Sequence, residues 1–262
     1  MKSSGSLKKH AYLHSTRSFK IFAHRGLCFR DGKLVFDENT IQAFRQAIES
    51  GAEYIELDVQ SSRDGRAVVF HDGNLGRVSS TTGSVSAFDI NQLKQITLKH
   101  GGTISTLDEV LNSLSPEVKI NIDVKNQAAI TDLAVTIAKH AARDRFLITS
   151  FSEKRRKAAL KAIPGVATSP SGILVLKIWL RIRLGLSVRK LLNLVNVLQI
   201  PVSYGLIRFD SPRFIESVKR HGVELVYWTI NDPAEATRLR QIGANGIVTD
   251  RSDLMTALFT KD

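Results

Sequence analysis

The stretch EYIELDVQ, residues 53–60, puts side chains of opposite character on opposite sides of one short segment. Its apolar positions, Tyr54 or Ile55 and then Leu57 and Val59, recur with a period of two, the mark of a β-strand. Glu56 and Asp58, two residues apart, therefore share a face. Adjacent carboxylates repel, so that face must supply a counter-charge. KINIDVKN, residues 119–126, repeats the pattern, with Ile120, Ile122 and Val124 on one side and Asn121, Asp123 and Lys125 on the other.

Outward from these two segments, short apolar runs alternate with helical patterns. Strands are predicted at 19–23, 54–60, 67–70, 118–124, 146–149, 165–168, 195–200, 224–229 and 246–249, the run at 165–168 being the shortest and poorest in large residues. Helices are predicted at 40–50, 106–114, 127–142, 152–162, within 173–193, and at 211–222, 233–243 and 252–260. Several helix starts carry entry chemistry: Thr106 with Glu109, Ser152, and Ser211 before Pro212. Alternation over 262 residues predicts a (β/α)₈ TIM barrel. A doubly wound open sheet is the alternative, and no glycine-rich phosphate fingerprint follows any strand to favour it. Residues 72–105, rich in Gly, Ser and Thr, read as a small insertion after the second strand region, beside the barrel mouth.

In such a barrel the apolar sets of 53–60 and 119–126 pack against helices, and Glu56, Asp58 and Asp123 face the interior near the C-terminal mouth. Inward charge is costly unless paired or bound to a metal, and oxygen-only donors suit a hard cation, Mg²⁺ or Ca²⁺. For Glu56 and Asp58 alone, an exposed strand end bridged to Lys or Arg accounts for the pair equally well. Asp123 and Lys125 on a second strand favour a site. His24 in IFAHRG and His71 in VVFHDG each follow an apolar strand directly, which puts both at the face where barrel enzymes keep their chemistry. Two imidazoles there suit acid–base work. Arg25 and Lys125 add fixed positive charge for a phosphate. In DENT (37–40), Asn39 or Thr40 is placed to cap a helix and Glu38 to pair with Arg25. Trp228, at a strand end, reads as a core aromatic or a wall of the substrate pocket.

Hydrophobic residues make up 43% of the chain, enough for a large core, and Cys28 is the sole cysteine, so no internal disulfide forms and a reducing, cytoplasmic setting is expected. Residues 1–18 are basic without an apolar stretch and are expected to form a flexible arm rather than a secretory signal. No apolar run reaches the length of a membrane span. The net charge of +12 is concentrated: from Lys154 to Phe209 there are eleven basic residues and no acidic one, leaving 26 basic against 25 acidic residues elsewhere. Its partner is an anionic membrane, a nucleic acid or an acidic substrate. GILVLKIWLRIRLGLSVRKLLNLV (172–195) sets basic residues among large apolar ones. It fits peripheral contact with an anionic membrane through 173–193, or an ordinary outer barrel helix with a solvated basic face. A nucleic-acid-binding module over 154–190 ranks lower, because no recognised motif accompanies the charge.

HRG at 24–26, ENT at 38–40, ELD at 56–58, HD at 71–72, TLDEVL at 106–111, DVK at 123–125, YWTIND at 227–232 and GANGIVTD at 243–250 come in one order. Together they resemble the glycerophosphodiester phosphodiesterase family over about residues 19–260. The resemblance implies a (β/α)₈ barrel with a small insertion, and hydrolysis of glycerophosphodiesters to glycerol 3-phosphate and an alcohol with a divalent cation. It implies Glu56, Asp58 and Asp123 as metal ligands, His24 and His71 as the acid–base pair, Arg25 and Lys125 on the phosphate, and Trp228 in the pocket wall. Two positions depart from the family pattern: Asp123 stands where the family often has Glu, and Asp37 where it commonly has Pro. A lysophospholipase D acting at a membrane surface is the alternative within the same chemistry.

Overall fold

A computed structural model describes residues 10–140 and 142–259. Eight parallel strands form a nearly closed barrel: β1 (Lys20–His24), β2 (Tyr54–Ser61), β3 (Lys119–Val124), β4 (Phe146–Thr149), β5 (Ala167–Thr168), β6 (Val197–Ile200), β7 (Glu224–Tyr227) and β8 (Gly246–Thr249). They pair in the order β5-β4-β3-β2-β1-β8-β7-β6. The seam between β5 and β6 is closed by single bonds rather than a ladder. The Asn196 amide N–H donates to the Thr168 carbonyl at 2.9 Å, its side-chain oxygen accepts from the Thr168 N–H at 2.9 Å, and Ser169 Oγ accepts from the Gln199 N–H at 2.9 Å. The main helices between the strands are α1 (Ile41–Glu49), α2 (Leu107–Ser113), α3 (Ile130–Lys139), α4 (Glu153–Ala162), α5 (Gly172–Arg183), α6 (Pro212–Lys219), α7 (Pro233–Gln241) and α8 (Ser252–Leu258).

The alternation in 53–60 and 119–126 resolves as the barrel requires. Ile55, Leu57, Val59, Ile120, Ile122 and Val124 are buried in the layer beneath the helices. Tyr54 instead joins Phe22, Leu147, Val197, Val226 and Val248 in the barrel's own interior cluster. The capping box expected at Thr106 forms with Glu109 at the head of α2. The long helix expected within 173–193 breaks after α5. Gly185 takes φ +70°, which an L side chain rarely adopts, and only a short turn, Arg189–Leu192, follows. No described helix is long and apolar enough to cross a membrane.

Two further details depart from the sequence reading. Residues 10–18, expected to belong to a flexible arm, close the base of the barrel, whereas residues 1–9 lie outside the described set. A 3₁₀ turn at Ala11–Leu13 buries Tyr12 and Leu13. Tyr12 meets Tyr54 edge-on at 5.4 Å, and Lys119 Nζ donates to the Ala11 and Tyr12 carbonyls at 3.0 and 2.9 Å. The basic residues around AYL masked this apolar plug. The predicted strand at 67–70 is also not a barrel stave. Ala67–Val69 runs antiparallel to β2, with Val59 opposite Val69, and leads into residues 72–105. There Leu75, Val85, Leu93, Ile96 and Leu98 build a small separate core.

Candidate active site

The polar residues of β1, β2 and β3 end together on the floor of a cavity of about 720 Å³ at the C-terminal mouth, lined among others by His24, Arg25, Glu56, Asp58, His71, Asp123, Lys125 and Trp228. Strand register fixes this: His24 lies opposite Glu56, and Asp58 opposite Asp123. His71 arrives by a different route from that expected. β2 overshoots the rim, turns, and returns as Ala67–Val69, so that the Phe70 N–H bonds the Asp58 carbonyl at 3.0 Å. The histidine at the end of an antiparallel strand is thereby brought back to the level of Asp58. After β1 the chain turns sharply. Arg25 and Gly26 have φ +57° and +89°, and a Cβ on Gly26 would stand 2.7 Å from the Ala43 carbonyl carbon of α1. Glycine at that position lets α1 close over the turn.

Each histidine is held by an aspartate. His24 Nδ1 lies 2.6 Å from Asp250 Oδ1, and His71 Nδ1 lies 2.6 Å from Asp72 Oδ1. Committing Nδ1 in both rings leaves Nε2 as the nitrogen free for a ligand. Asp250 is itself anchored: Asn231 Nδ2 donates to its other oxygen at 2.7 Å, and its N–H donates to Asn231 Oδ1 at 2.8 Å. Arg77 holds Asp72 through Nε and reaches Glu38, which also accepts from Arg25 Nη1 at 3.0 Å. The expected Arg25–Glu38 pair is thus present, but it belongs to a longer chain that ties the insertion to the floor. Thr40 caps α1 by accepting from the Ala43 N–H at 3.3 Å. Asn39 has another task, donating to Asp58 Oδ2 at 2.9 Å and accepting from the Asp58 N–H at 3.2 Å.

Asp58 lies between two cations, Lys125 Nζ at 3.0 Å and Arg25 Nε at 3.2 Å. Burial alone would raise its pKa, but these partners outweigh burial and hold it below the usual carboxylate range. Lys125 also meets Asp123 at 2.6 Å. Among the described residues Glu56 has no ion pair of this kind. Its Oε2 accepts the Arg25 N–H at 3.2 Å, and burial, with Asp58 and Asp123 close by, pushes its pKa up to about 8. Burial pushes Asp123 upward too, and its Oδ1 is buried without a hydrogen-bond partner among the described residues. For His24, burial lowers the pKa, but the Asp250 bond and the Glu56 carboxylate outweigh it, so the net shift is upward.

The expected three-carboxylate cluster is only partly assembled. Glu56, Asp58 and Asp123 share the floor, yet among the described residues no group of three or more Asp, Glu, His or Cys side chains is drawn close enough to hold a metal. The Lys125 ammonium bridges Asp58 and Asp123. The donor chemistry nonetheless suits a hard divalent cation. The unpartnered Asp123 oxygen and the raised Glu56 carboxyl are what a net-negative, oxygen-lined floor shows when its charge is incompletely neutralised.

Sequence reasoning missed Asp72, Asp250, Asn231 and Arg77. Asp250 was the most accessible, because it directly follows β8, whose neighbour β1 ends at His24. Above the floor the cavity turns apolar. Trp228 packs edge-on against Phe151 with ring centroids 6.0 Å apart, and Ile173, Leu176 and Tyr204 continue the wall.

The sequence matches the Glycerophosphoryl diester phosphodiesterase family over residues 24–254. A Mycobacterium tuberculosis protein named "Probable glycerophosphodiester phosphodiesterase 2" is 33% identical over 236 residues, 89% of this chain and 88% of that protein. A lysophospholipase D of Rattus norvegicus is 26% identical over 285 residues, 93% of this chain and 88% of that protein. Among solved structures, the glycerophosphodiester phosphodiesterase of Thermotoga maritima superposes with a TM-score of 0.74 at 27% identity, covering 94% of this chain and 100% of that one.

Proposed function

The chain belongs to the glycerophosphoryl diester phosphodiesterase family and is a phosphoric diester hydrolase, and from that premise we propose that it cleaves glycerophosphodiesters to glycerol 3-phosphate and an alcohol by paired histidine acid–base catalysis. The observation that carries this reading is the pair of His–Asp couples, His24 with Asp250 and His71 with Asp72, whose histidines line one cavity with Arg25 and Lys125. The guanidinium and ammonium hold the phosphate oxygens and oppose charge as it builds on them. One imidazole Nε2 takes the proton of the attacking hydroxyl, either water or the glycerol's own adjacent OH. The other gives a proton to the departing alkoxide. Where the glycerol hydroxyl attacks, the P–O bond to the head group breaks as a cyclic phosphate forms, and water then opens the ring. Trp228 supplies a flat wall for the glycerol carbons.

Glu56, Asp58 and Asp123 would hold a divalent cation, Mg²⁺ or Ca²⁺, whose chemistry when bound is to polarise the phosphoryl oxygens. A cytoplasmic setting goes with this reading, since Cys28 carries no disulfide. The test is hydrolysis of glycerophosphocholine by the intact protein. Chelation with EDTA should abolish it, Mg²⁺ or Ca²⁺ should restore it, and His24→Ala or His71→Ala should each slow turnover about 10²–10⁴-fold. Full turnover in excess chelator would remove the cation from the scheme, and near-normal turnover in either histidine variant would remove the pairing.

A second reading, hydrolysis of lysophospholipids, is favoured by the apolar wall of Phe151, Ile173, Leu176 and Tyr204 above the floor. These side chains suit an acyl chain better than a small polar head group. The relative named lysophospholipase D is consistent with it. Release of choline from lysophosphatidylcholine, compared with glycerophosphocholine at equal concentration, separates the two.

A further inference from the structure

α5 is apolar on both of its faces. One face buries Leu174, Val175, Ile178 and Ile182 against the barrel, as an outer helix should. The opposite face carries Ile173, Leu176 and Leu180, which are 58%, 45% and 49% exposed. These residues are spaced three and four apart and so form one line. Lys177 and Arg181, one residue after Leu176 and Leu180, border that line and are exposed. The ordinary outer helix with a solvated basic face is therefore not what the chain builds. Its outward face is an apolar ridge with a basic edge.

Beside the ridge stands the hairpin of Ser203–Tyr204 and Ile207–Arg208. Leu206 at its tip is fully exposed, and Tyr204 is 76% exposed. The Trp179 indole N–H donates to the Arg208 carbonyl at 3.2 Å, fastening hairpin to helix. Ile173, Leu176 and Tyr204 also line the catalytic cavity, so the exposed apolar surface runs continuously into its mouth. A soluble monomer rarely leaves such a surface to water without a use for it. The charge carried by α5 and the hairpin has one sign, since no acidic residue occurs from Lys154 to Phe209, and Asp210 just beyond is taken up by Arg208 and Arg238.

We propose that α5 and the 203–208 hairpin form a docking surface for an anionic lipid membrane. Leu206 and the Ile173–Leu176–Leu180 ridge seat at the headgroup–acyl boundary, and Lys177 and Arg181 face lipid phosphates. Docked this way, the cavity mouth opens onto the lipid surface. The inference concerns where the protein sits, and it stands whether the floor prefers diesters or lysophospholipids.

The experiment is co-sedimentation of the full chain with vesicles of phosphatidylcholine alone or mixed with phosphatidylglycerol. Hydrolysis of soluble glycerophosphocholine is read in parallel. The wild type is expected to pellet with the anionic vesicles and to stay in solution with the zwitterionic ones. Leu180→Glu with Leu206→Glu should weaken binding tenfold or more, and Lys177→Gln with Arg181→Gln about twenty-five-fold, at about fivefold per charge. All four positions lie outside the cavity lining, so soluble turnover should be unchanged in every variant. Loss of vesicle binding with turnover intact supports the surface, and unaltered binding in both double variants overturns it. Equal pelleting with zwitterionic vesicles also overturns it. So does a wild-type dimer in sedimentation velocity that Leu180→Glu with Leu206→Glu dissolves, which would assign the ridge to a second copy of the chain.

Discussion

Replacing Asp250 with Asn tests the proposed histidine pairing more sharply than removing a histidine, because it leaves every ring in place. Asp250 serves two partners with two oxygens, His24 Nδ1 at 2.6 Å and Asn231 Nδ2 at 2.7 Å. Both are donors when the imidazole carries its proton on Nδ1. An amide has one oxygen, so Asp250→Asn must set its NH₂ against one donor or the other. If it faces Asn231, the loop keeps a clash; if it faces His24, the ring must change tautomer and turn a protonated Nε2 to the cavity. Either way one charge-assisted bond is lost, worth about 1.5–3 kcal/mol. Asp250 is 42% exposed on its side chain, and water screens such a bond toward the lower part of that range. The expected loss in kcat is therefore about 10–10²-fold, with KM little changed, since Arg25 and Lys125 still hold the phosphate. The sign of the pH effect follows as well. Burial lowers the His24 pKa and Asp250 raises it, so without the carboxylate the limb governed by His24 should move to lower pH. The assay is steady-state hydrolysis of glycerophosphocholine from about pH 5 to 9, the range in which a histidine titrates. A variant with wild-type kcat and an unmoved limb would refute the role given to Asp250 and, with it, the Nε2-facing arrangement of His24.

Four other outcomes follow from the same structure. Tyr12→Ala should destabilise the fold by about 3 kcal/mol or more in urea unfolding, because it opens a cavity where the barrel base is plugged. Tyr12→Phe should be neutral or stabilising, since the buried hydroxyl has no hydrogen-bond partner among the described residues. Gly26→Ala should lower both thermal stability and activity, because the new Cβ meets the α1 backbone at 2.7–2.8 Å and the position has φ +89°. Without divalent cation, stability should fall as pH rises between the ordinary glutamate value and about 8, where folded Glu56 holds a proton that the unfolded chain has released; thermal melts of Glu56→Gln should show a shallower slope, with only the raised Asp123 left to contribute, and Mg²⁺ should stabilise the wild type more at the alkaline end.

The barrel was legible because its staves carry the period-two signal in short, strongly apolar runs separated by helical ones. It became uncertain where that signal fails for a physical reason. β5 has only two ladder residues, Ala167 and Thr168, and shares a seam closed partly by side chains. Ala67–Val69 looks like a stave because it is apolar and buried, and nothing in its composition reveals that it runs backwards. Tyr12 and Leu13 were hidden by basic neighbours, since composition averages over exactly the length at which a plug acts. In the site, residues with a charge pattern on a strand were found, and those that act through another side chain were not. Asp72 and Asp250 have no periodic signature; Asp72 is His71's own neighbour in the chain, and only the fold brings Asp250 to Nδ1 of His24.

The two carboxylates of EYIELDVQ differ in the company each keeps. Asp58 is flanked by Arg25 and Lys125 and further bonded by Asn39, so its charge is matched on three sides. Glu56, one pleat closer to the barrel base, meets a backbone N–H and the field of two other acids, and the charges of His24 and Arg25 do not outweigh its burial. A purely structural ion-pair network has no use for the second arrangement. Burying a carboxyl that is held near protonation costs stability, and Gln at this position would keep the N–H contact without the charge. The chain keeps the acid, on the same floor as an Asp123 oxygen that has no hydrogen-bond partner among the described residues. Asp123 itself stands on a side chain one methylene shorter than Glu. If the pair of oxygens serves a cation, lengthening that arm by Asp123→Glu should change the metal concentration needed for half-maximal thermal stabilisation, while leaving the metal-free melting temperature nearly as it was. If the pair serves only the Lys125 bridge, the same substitution should shift the metal-free melt and leave the metal titration flat, and the answer to why two acids sit side by side would then be ion pairing alone.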